Sequence, residues 1–429
     1  MAGRGKNWLL VRLLLVTLVP WALGSCGEAA SSTSATADAA KTTDTVAGDA
    51  AADAAPVATP LTGRKMAKPQ LAWVPAQDFL DVGTAKLAGK PFRSGVHDLQ
   101  VYGGRLYVAY GDADNNLGRD IPIQVRSWTS EVGPPAAETA TDEEEVERYR
   151  FLGDQLWIAG VDATEDAWLG NVYLRGPASG WVKRRTVQNG VHVHDVARFQ
   201  GATYAVGSGA TPDEWKKGKI YGHLWRTDDD GASFDIAERT YNQSKGDARW
   251  IRLLPLGDTQ LLVFGYKTDA KGAIWQLPNS SWDGAALATL ATDHPLATAF
   301  AMDTEVLPGG GGLVRGADIA SKPALARLWH VQADGSAQAV EALQDQTVVD
   351  QFVHLPTGEV VVVTRPGATW GQAPAAPHLQ VLVSKDMQTW TLLGEWDAEV
   401  GVESLAVWRD AIYFGTTDGK VLRAALSGP

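Results

Sequence analysis

The sequence predicts an all-β protein: a seven-bladed β-propeller that follows a signal peptide and a disordered tether. Three observations support this: a regular repeat of β-rich segments, a high glycine and tryptophan content, and an N-terminal region of different composition. Seven short repeats at a near-constant period are typical of propeller blades. A six-bladed propeller is the alternative if one run does not belong to a blade. The runs are spaced by 50, 47, 58, 52, 47 and 52 residues and begin at Leu106, Leu156, Thr203, Leu261, Leu313, Val360 and Ile412.

The composition fits this architecture. The chain has 45 glycines and 17 tryptophans among 429 residues, which suits many tight turns and aromatic packing between blades. The formal net charge of −12 argues against nucleic acid as a partner, because phosphates need basic side chains. We expect a monomer.

Residues 1–25 have the pattern of a secretory signal. A basic start precedes the apolar run LLLVTLVPWALGS, which is too short for a stable membrane span. Residues 23–26 (LGSC) resemble a bacterial lipobox, and this resemblance implies a lipid on Cys26, the only cysteine of the chain. The alternative is an ordinary cleaved signal with an incidental cysteine. We therefore expect an exported protein, lipid-anchored at the bacterial outer membrane or cell surface.

Residues 26–62 are predicted to be a disordered tether, and residues 63–429 the propeller. The tether is rich in Ala, Thr, Ser and Asp and cannot bury enough apolar surface to offset chain entropy. Each repeat then supplies an inner strand, a turn, the apolar second strand and a third strand, and most copies add an outer strand. The last copy has no outer strand. The strand AWVPAQDF, which starts at Ala72, is predicted to take that place and close the ring.

The segment TDDDGASF follows a predicted third strand and has the pattern of a turn. Asp229 can accept backbone N–H groups, Gly231 allows a positive φ, and Phe234 can anchor the turn in the core. The segment resembles the Asp-box of the sialidase-like (BNR) propellers, and SKDMQTW from Ser384 is a degenerate copy. In that family the box is structural and lies away from the active face. The matching positions are Thr227, Asp229, Gly231, Ser233 and Phe234.

The tripeptide VHD occurs twice, from Val96 and from Val193. Together with the following GSG and the Asp-box, the second copy resembles a group of exported bacterial propeller lipoproteins, which implies a fold more than a function. The sialidase-like resemblance implies a carbohydrate-active enzyme as one possible function. Sialidase catalysis would need three arginines, and only Arg93 faintly matches the family's first arginine segment.

A polar residue lies nine positions before each apolar run. Because inner strands line the central channel, these residues are predicted to form one ring. They are either the wet lining of a channel or a site at its mouth, where two imidazoles and two carboxylates could hold Zn²⁺ or Mn²⁺, bind a polar ligand or perform acid–base chemistry. Glu147 and Glu403 are the candidate catalytic carboxylates, and the register is expected to slip first in blade 5, across residues 309–312. The seven positions are His97, Glu147, His194, Arg252, Thr304, Gln351 and Glu403.

The segment GDADNNLGRD is a candidate Ca²⁺ loop. Asp112, Asp114, Asn116 and Asp120 supply oxygen atoms at alternate spacing, as calcium-binding loops do. The glycine comes one place late for an EF-hand, and Ile123 occupies the position of its glutamate. The alternative is a solvated turn.

Three tryptophans fall in the loops that follow second strands: Trp168, Trp215 and Trp370. Those loops open on the face where the inner strands begin, so exposed indoles there could stack on sugar rings. The alternative is that they pack long loops onto neighbouring blades. The sequence thus favours a lipoprotein that binds a glycan or an envelope protein on this face. A glycoside hydrolase or lyase is the rival function, and a structural scaffold is a third.

Overall fold

The computed structural model describes residues 59–73, 95–111, 123–131, 133–165, 168–241, 247–268, 274–276, 278–321, 323–370 and 377–428. Within these ranges the strands form seven small antiparallel sheets arranged around a central channel. The predicted all-β, seven-bladed propeller is therefore confirmed. We term the face on which the inner strands begin the upper face, and the face of the hairpins between inner and second strands the lower face.

The first three blades each have four strands, which run in order from the inner strand to the outer strand. Blade 1 contains Val96–Tyr102, Arg105–Tyr110, Gln124–Trp128 and Ala136–Ala140. Blade 2 contains Tyr149–Leu152, Gln155–Ala159, Leu169–Arg175 and Trp181–Gln188. Blade 3 contains Gly190–Phe199, Ala202–Gly209, Tyr221–Thr227 and Asp235–Tyr241.

Blades 4 to 6 follow the same order, except that two short segments share the place of the third strand in blade 4. Blade 4 contains Ala248–Leu256, Gln260–Thr268, Ile274–Gln276, Ser280–Trp282 and Leu287–Thr289. Blade 5 contains Ala299–Val306, Gly312–Asp318, Leu325–Val331 and Ala337–Ala339. Blade 6 contains Gln346–His354, Val360–Pro366, His378–Ser384 and Thr391–Asp397.

Blade 7 is completed by the other end of the chain. Its inner strands are Val402–Trp408, Ala411–Thr416 and Val421–Ser427, and the last pairs with Lys65–Met66 and Gln70–Trp73. This confirms that an N-terminal strand closes the ring. The strand begins before Ala72, however, and residues 74–79 of the predicted strand lie outside the described residues.

The N-terminal boundary of the folded domain also differs from the prediction. Leu61 is buried in the core beside blades 6 and 7. The carboxylate of Glu359 accepts the backbone N–H groups of Leu61 at 2.8 Å and of Thr62 at 3.0 Å. The folded part thus includes Leu61 and Thr62, which the prediction assigned to the tether, because the side chain of Leu61 is buried and Glu359 binds the backbone of both residues. Cys26 and residues 1–25 lie outside the described residues.

The helical segments are short. Pro212–Lys216 follows the second strand of blade 3, and Thr211 and Glu214 form a capping box at its start. One turn of 3₁₀ helix among the described residues, Glu341–Leu343, precedes blade 6. None of the helices in the described ranges has the length and apolar character that a membrane crossing needs.

The core lies between neighbouring blades. Trp225 and Phe234 of blade 3 pack with Trp157 and Val172 of blade 2, and Trp250 of blade 4 packs against blade 3. Full burial of a large apolar side chain stabilises the fold by roughly 1.5–3 kcal/mol. The high tryptophan content thus serves inter-blade packing.

The turn between the third and outer strands of blade 3 has the bonding that its residues predict. Thr227 Oγ1 donates to Asp229 Oδ1 at 2.6 Å, and the Ser233 N–H donates to the same oxygen at 2.9 Å. Gly231 has a φ of 77°, and Phe234 is 1% exposed. The turn lies on the lower face, where it fixes the sheet.

Candidate functional site

The inner strands share an irregularity near their upper ends. In six of the seven, within the described residues, the pairing with the second strand shifts and leaves one or more residues unpaired. Such a β-bulge re-aims the side chain that it carries. The unpaired residue is His97 in blade 1, His194 in blade 3 and Glu403 in blade 7.

In these blades the predicted ring position coincides with the unpaired residue, and in blade 6 Gln351 is one of the unpaired residues, but in blades 4 and 5 the two positions differ. Blades 1, 3 and 7 have two-residue hairpins, whereas blade 4 has three residues between Leu256 and Gln260. The unpaired residue of blade 4 is therefore Ile251, and Arg252 lies one position lower. In blade 5 the five-residue connection across residues 307–311 makes Met302 the unpaired residue, so the slip expected there occurs.

His97 lies between two carboxylates. Its Nδ1 is 3.5 Å from Glu403 Oε2, and its Nε2 is 3.6 Å from Glu145 Oε2. Burial lowers the pKa of His97, but the hydrogen bond to Glu403 and the charge of Glu145 outweigh burial and raise it to about 10. Gly95 permits this arrangement, because a Cβ there would lie 2.0 Å from Glu403 Oε2. His97 is thus a fixed cation at neutral pH.

Glu147 carries a negative charge close to His97. Arg252 Nη2 donates to Glu147 Oε1 at 2.6 Å, and His194 Nδ1 is 3.4 Å from Glu147 Oε2. Burial raises the pKa of Glu147, but the Arg252 guanidinium and the His194 contact hold it well below the usual range. Burial lowers the pKa of His194. The charge of Glu147 also acts on His97.

These contacts define one group at the upper end of the channel, which we term the upper cluster. The structure brings together five of the seven residues that the sequence predicts for a ring and adds Glu145, which the nine-residue spacing does not select. The cluster consists of His97, Glu145, Glu147, His194, Arg252 and Glu403.

A second group, which we term the belt, lies just below. Asp98 accepts the backbone N–H of Tyr149 at 2.7 Å and a bond from the Gln351 side chain. Arg148 pairs with Asp303 across the channel. The aspartates of the two VHD segments therefore join neighbouring blades and do not orient the adjacent imidazoles. The belt consists of Asp98, Arg148, Asp195, Asp303 and Gln351, all buried.

Below the belt lies a cavity with a volume of about 1020 Å³, which we term the lower cavity. Its lining includes the charged residues Arg150 and Glu305 and the apolar residues Phe151, Val306 and Val353. Two residues of the predicted ring, Thr304 and Gln351, line this cavity. No sequence pattern selects Glu305, because it follows two other polar residues, Asp303 and Thr304.

The loop tryptophans do not form one group. Trp168 and Trp215 contact each other edge to face, with ring centroids 6.1 Å apart, and Trp215 is 42% exposed. Trp370 instead packs against Phe300 of blade 5, with centroids 6.0 Å apart. The interpretation as loop packing thus describes Trp370, whereas Trp215 offers a free indole face.

Metal binding stays a prediction. Among the described residues there is no group of three or more His, Cys, Asp or Glu side chains arranged to hold a metal ion. The candidate Ca²⁺ loop with Asp112, Asp114, Asn116 and Asp120 lies outside the described residues.

Comparison with known proteins places the chain in no family. No protein-family model and no curated protein matches it. A GH74 xyloglucanase from Xanthomonas campestris is similar over 83% of this chain and 53% of its own, at 12% identity and a TM-score of 0.46. A streptogramin B lyase is similar over 86% of this chain and 100% of its own, at 9% identity and a TM-score of 0.43. A PL25 ulvan lyase is similar over 79% of this chain and 94% of its own, at 12% identity and a TM-score of 0.41. At such scores these likenesses say nothing about what the chain binds or catalyses.

Proposed function

We propose that this chain is an exported, lipid-anchored lipoprotein whose propeller binds a glycan on its upper face. The lipobox-like segment at Cys26 supports the anchor, and the Asp-box-like turn at Thr227 supports a sialidase-like origin of the propeller. An envelope protein is the other partner that the sequence suggests. The exposed indole of Trp215 favours the glycan.

The contacts of the two candidate catalytic carboxylates favour binding over hydrolysis. Glu147 is held by Arg252 at 2.6 Å, and Glu403 by His97 at 3.5 Å. Hydrolysis by two carboxylates requires one of them to be protonated as the general acid. The guanidinium of Arg252 opposes protonation of Glu147, and Glu403 already contacts His97. The two carboxylates therefore suit the recognition of polar groups.

Trp215 supplies the stacking surface that sugar binding requires. It belongs to the capped turn Pro212–Lys216, and Arg239 holds Glu214 of that turn at 2.6 Å. The indole is therefore presented on a rigid element. Because the indole is already ordered, stacking on it costs little side-chain entropy. An ordered aromatic ring therefore binds the apolar face of a sugar ring effectively.

A carbohydrate-active enzyme is the second candidate, and one observation favours it. The upper cluster contains a group that stays protonated, His97, close to one that stays ionised, Glu147. Groups whose pKa values are pushed apart in this way can take different catalytic roles. In that case His97 would protonate a leaving group, and the ionised Glu147 would stabilise positive charge that develops on the sugar.

The test is a binding assay on the detergent-solubilised full chain with soluble xylo-, chito- and galacturono-oligosaccharides as probes. We expect one probe class to bind and Trp215→Ala to weaken it at least tenfold. Leu392→Ala is the matched control, because Leu392 is similarly exposed at 45% but lies on an outer strand. Shortened oligosaccharides that disappear in Glu147→Gln would favour the enzyme instead. If no probe binds while an envelope protein cross-links to the upper face, the glycan proposal is wrong.

A further inference from the structure

The lower cavity has the size and the walls of a small-molecule site. Its volume of about 1020 Å³ reaches the upper end of the range for ligand pockets, roughly 300–1,000 Å³. One part of its wall is apolar and includes Phe151 and Val306, which are 45% and 46% exposed. Side chains of the belt close its inner end, so it is separate from the upper cluster.

Among the buried and half-buried acids that line this cavity, one has no partner. Arg148 pairs with Asp303. Arg150 directs Nε and Nη2 to Asp195 at 2.6 and 2.8 Å, and Nη1 to the Thr304 carbonyl at 2.6 Å. Both of these cations are therefore engaged. Two further arginines line the cavity: Arg409 donates to the Thr129 carbonyl at 2.7 Å, and Arg198 is exposed to solvent.

Glu305 is the acid that remains. It lies on the inner strand of blade 5 between Thr304 and Val306 and is half-buried. Within the described ranges, no side chain or backbone group is within hydrogen-bond distance of its carboxylate. Burial raises the pKa of Glu305 to about 7, with Arg150 and Arg148 acting to lower it and Asp303 and Asp98 to raise it. A partly desolvated carboxylate without a partner is costly, and a cation in the cavity would remove that cost.

We infer that the lower cavity binds a small organic ammonium ion, with its cation on the carboxylate of Glu305 and its apolar part against Phe151, Val306 and Val353. An anion would be repelled by Glu305 and would find the cations of the belt already paired. A neutral apolar ligand would leave the carboxylate of Glu305 without a partner. An amine with a short hydrocarbon or aromatic body matches both parts of the wall. This site lies on the lower face and is independent of the function proposed for the upper face.

The test is calorimetry of the full chain with benzylamine, and with benzyl alcohol as the uncharged probe of the same shape. At pH 8 we expect benzylamine to bind at least tenfold more tightly than benzyl alcohol. Since only the ionised form of Glu305 pairs with the ligand, binding should weaken about tenfold between pH 8 and pH 6. Glu305→Gln should reduce benzylamine to the affinity of benzyl alcohol, and Glu305→Asp should keep part of the preference.

Glu403→Gln is the matched control, because it removes a carboxylate from the upper cluster and should leave benzylamine binding unchanged. The midpoint of urea unfolding of each variant shows whether the variant is folded. The inference is wrong if the parent does not bind benzylamine or binds both probes equally. It is also wrong if folded Glu305→Gln retains the full affinity, or if Glu403→Gln loses it.

Discussion

The carboxylate of Asp195 in blade 3 accepts the backbone N–H of Leu253 in blade 4 at 3.0 Å. The same carboxylate receives two bonds from Arg150 of blade 2, at 2.6 and 2.8 Å. One buried acid therefore connects the inner strands of three consecutive blades. Asp98 likewise connects three blades, although not consecutive ones: blades 1, 2 and 6, through Tyr149 and Gln351. Side chains, and not a continuous backbone ladder, join the blades around the channel.

Removal of this acid should destabilise the propeller strongly. In Asp195→Ala the guanidinium of Arg150, whose side chain is only 14% exposed, loses its counter-charge, and the Leu253 N–H loses its acceptor. Breaking a buried ion pair from one side costs about 3–5 kcal/mol. We expect a loss of that size in the free energy of unfolding measured in urea.

Asp410→Ala is the control for this variant. Asp410 pairs with Arg64 at 3.0 Å, but its side chain is 78% exposed, and exposed pairs contribute about 0–1 kcal/mol. Equal losses in the two variants would show that the belt has no special part in holding the blades together.

Insertion of a methyl group at Gly95 should disturb the upper cluster with little effect on folding. A Cβ at this position lies 2.0 Å from Glu403 Oε2, so the carboxylate must move away from His97. We expect Gly95→Ala to lower the pKa of His97, as followed by NMR of its ring protons. Gly180→Ala is the control, because no atom lies within 4 Å of its added Cβ. An unchanged pKa in Gly95→Ala would mean that Glu403 does not set the charge of His97.

The blades could be predicted from sequence, because each depends on a local pattern that repeats. A turn followed by an apolar run identifies a strand wherever it occurs, and the missing outer strand of the last copy requires a strand from elsewhere. The ring could be predicted only where hairpins are of equal length. Three residues instead of two before Gln260 move Arg252 out of register, and no pattern in the inner strand alone shows this.

The partners of the site residues could not be predicted, because they come from other blades. Glu145 reaches His97 from the connection between blades 1 and 2, and Gln351 reaches Asp98 from a residue 253 positions away. The histidine and aspartate of VHD resemble one unit because they are adjacent in sequence. Neighbours on a strand point apart, so the histidine joins the upper cluster and the aspartate the belt.

The turn at Phe234 should depend on its aromatic anchor. Phe234 is 1% exposed and packs against blade 2, and truncation of a buried phenylalanine costs about 3–5 kcal/mol. We expect Phe234→Ala to lose this much in the free energy of unfolding. Trp390, at the equivalent turn of blade 6, is only half-buried, so Trp390→Ala should lose less. The reverse order would contradict the anchoring role.

The charge of His97 should give the propeller a stability that declines in alkali. The pKa of His97 is about 10 in the folded protein, against an ordinary value of 6.5 for a solvated histidine, so the folded state binds the proton more tightly than the unfolded state. The contribution is complete below pH 6.5 and is lost as the pH rises to about 10. The difference in unfolding free energy between the parent and His97→Gln should therefore shrink from pH 7 to pH 10. His223→Gln is the control, because burial and Arg239 lower the pKa of His223 to about 4, so its effect should change only below neutrality. A flat difference for His97→Gln over this range would show that the imidazole is neutral and that the upper cluster lacks its cation.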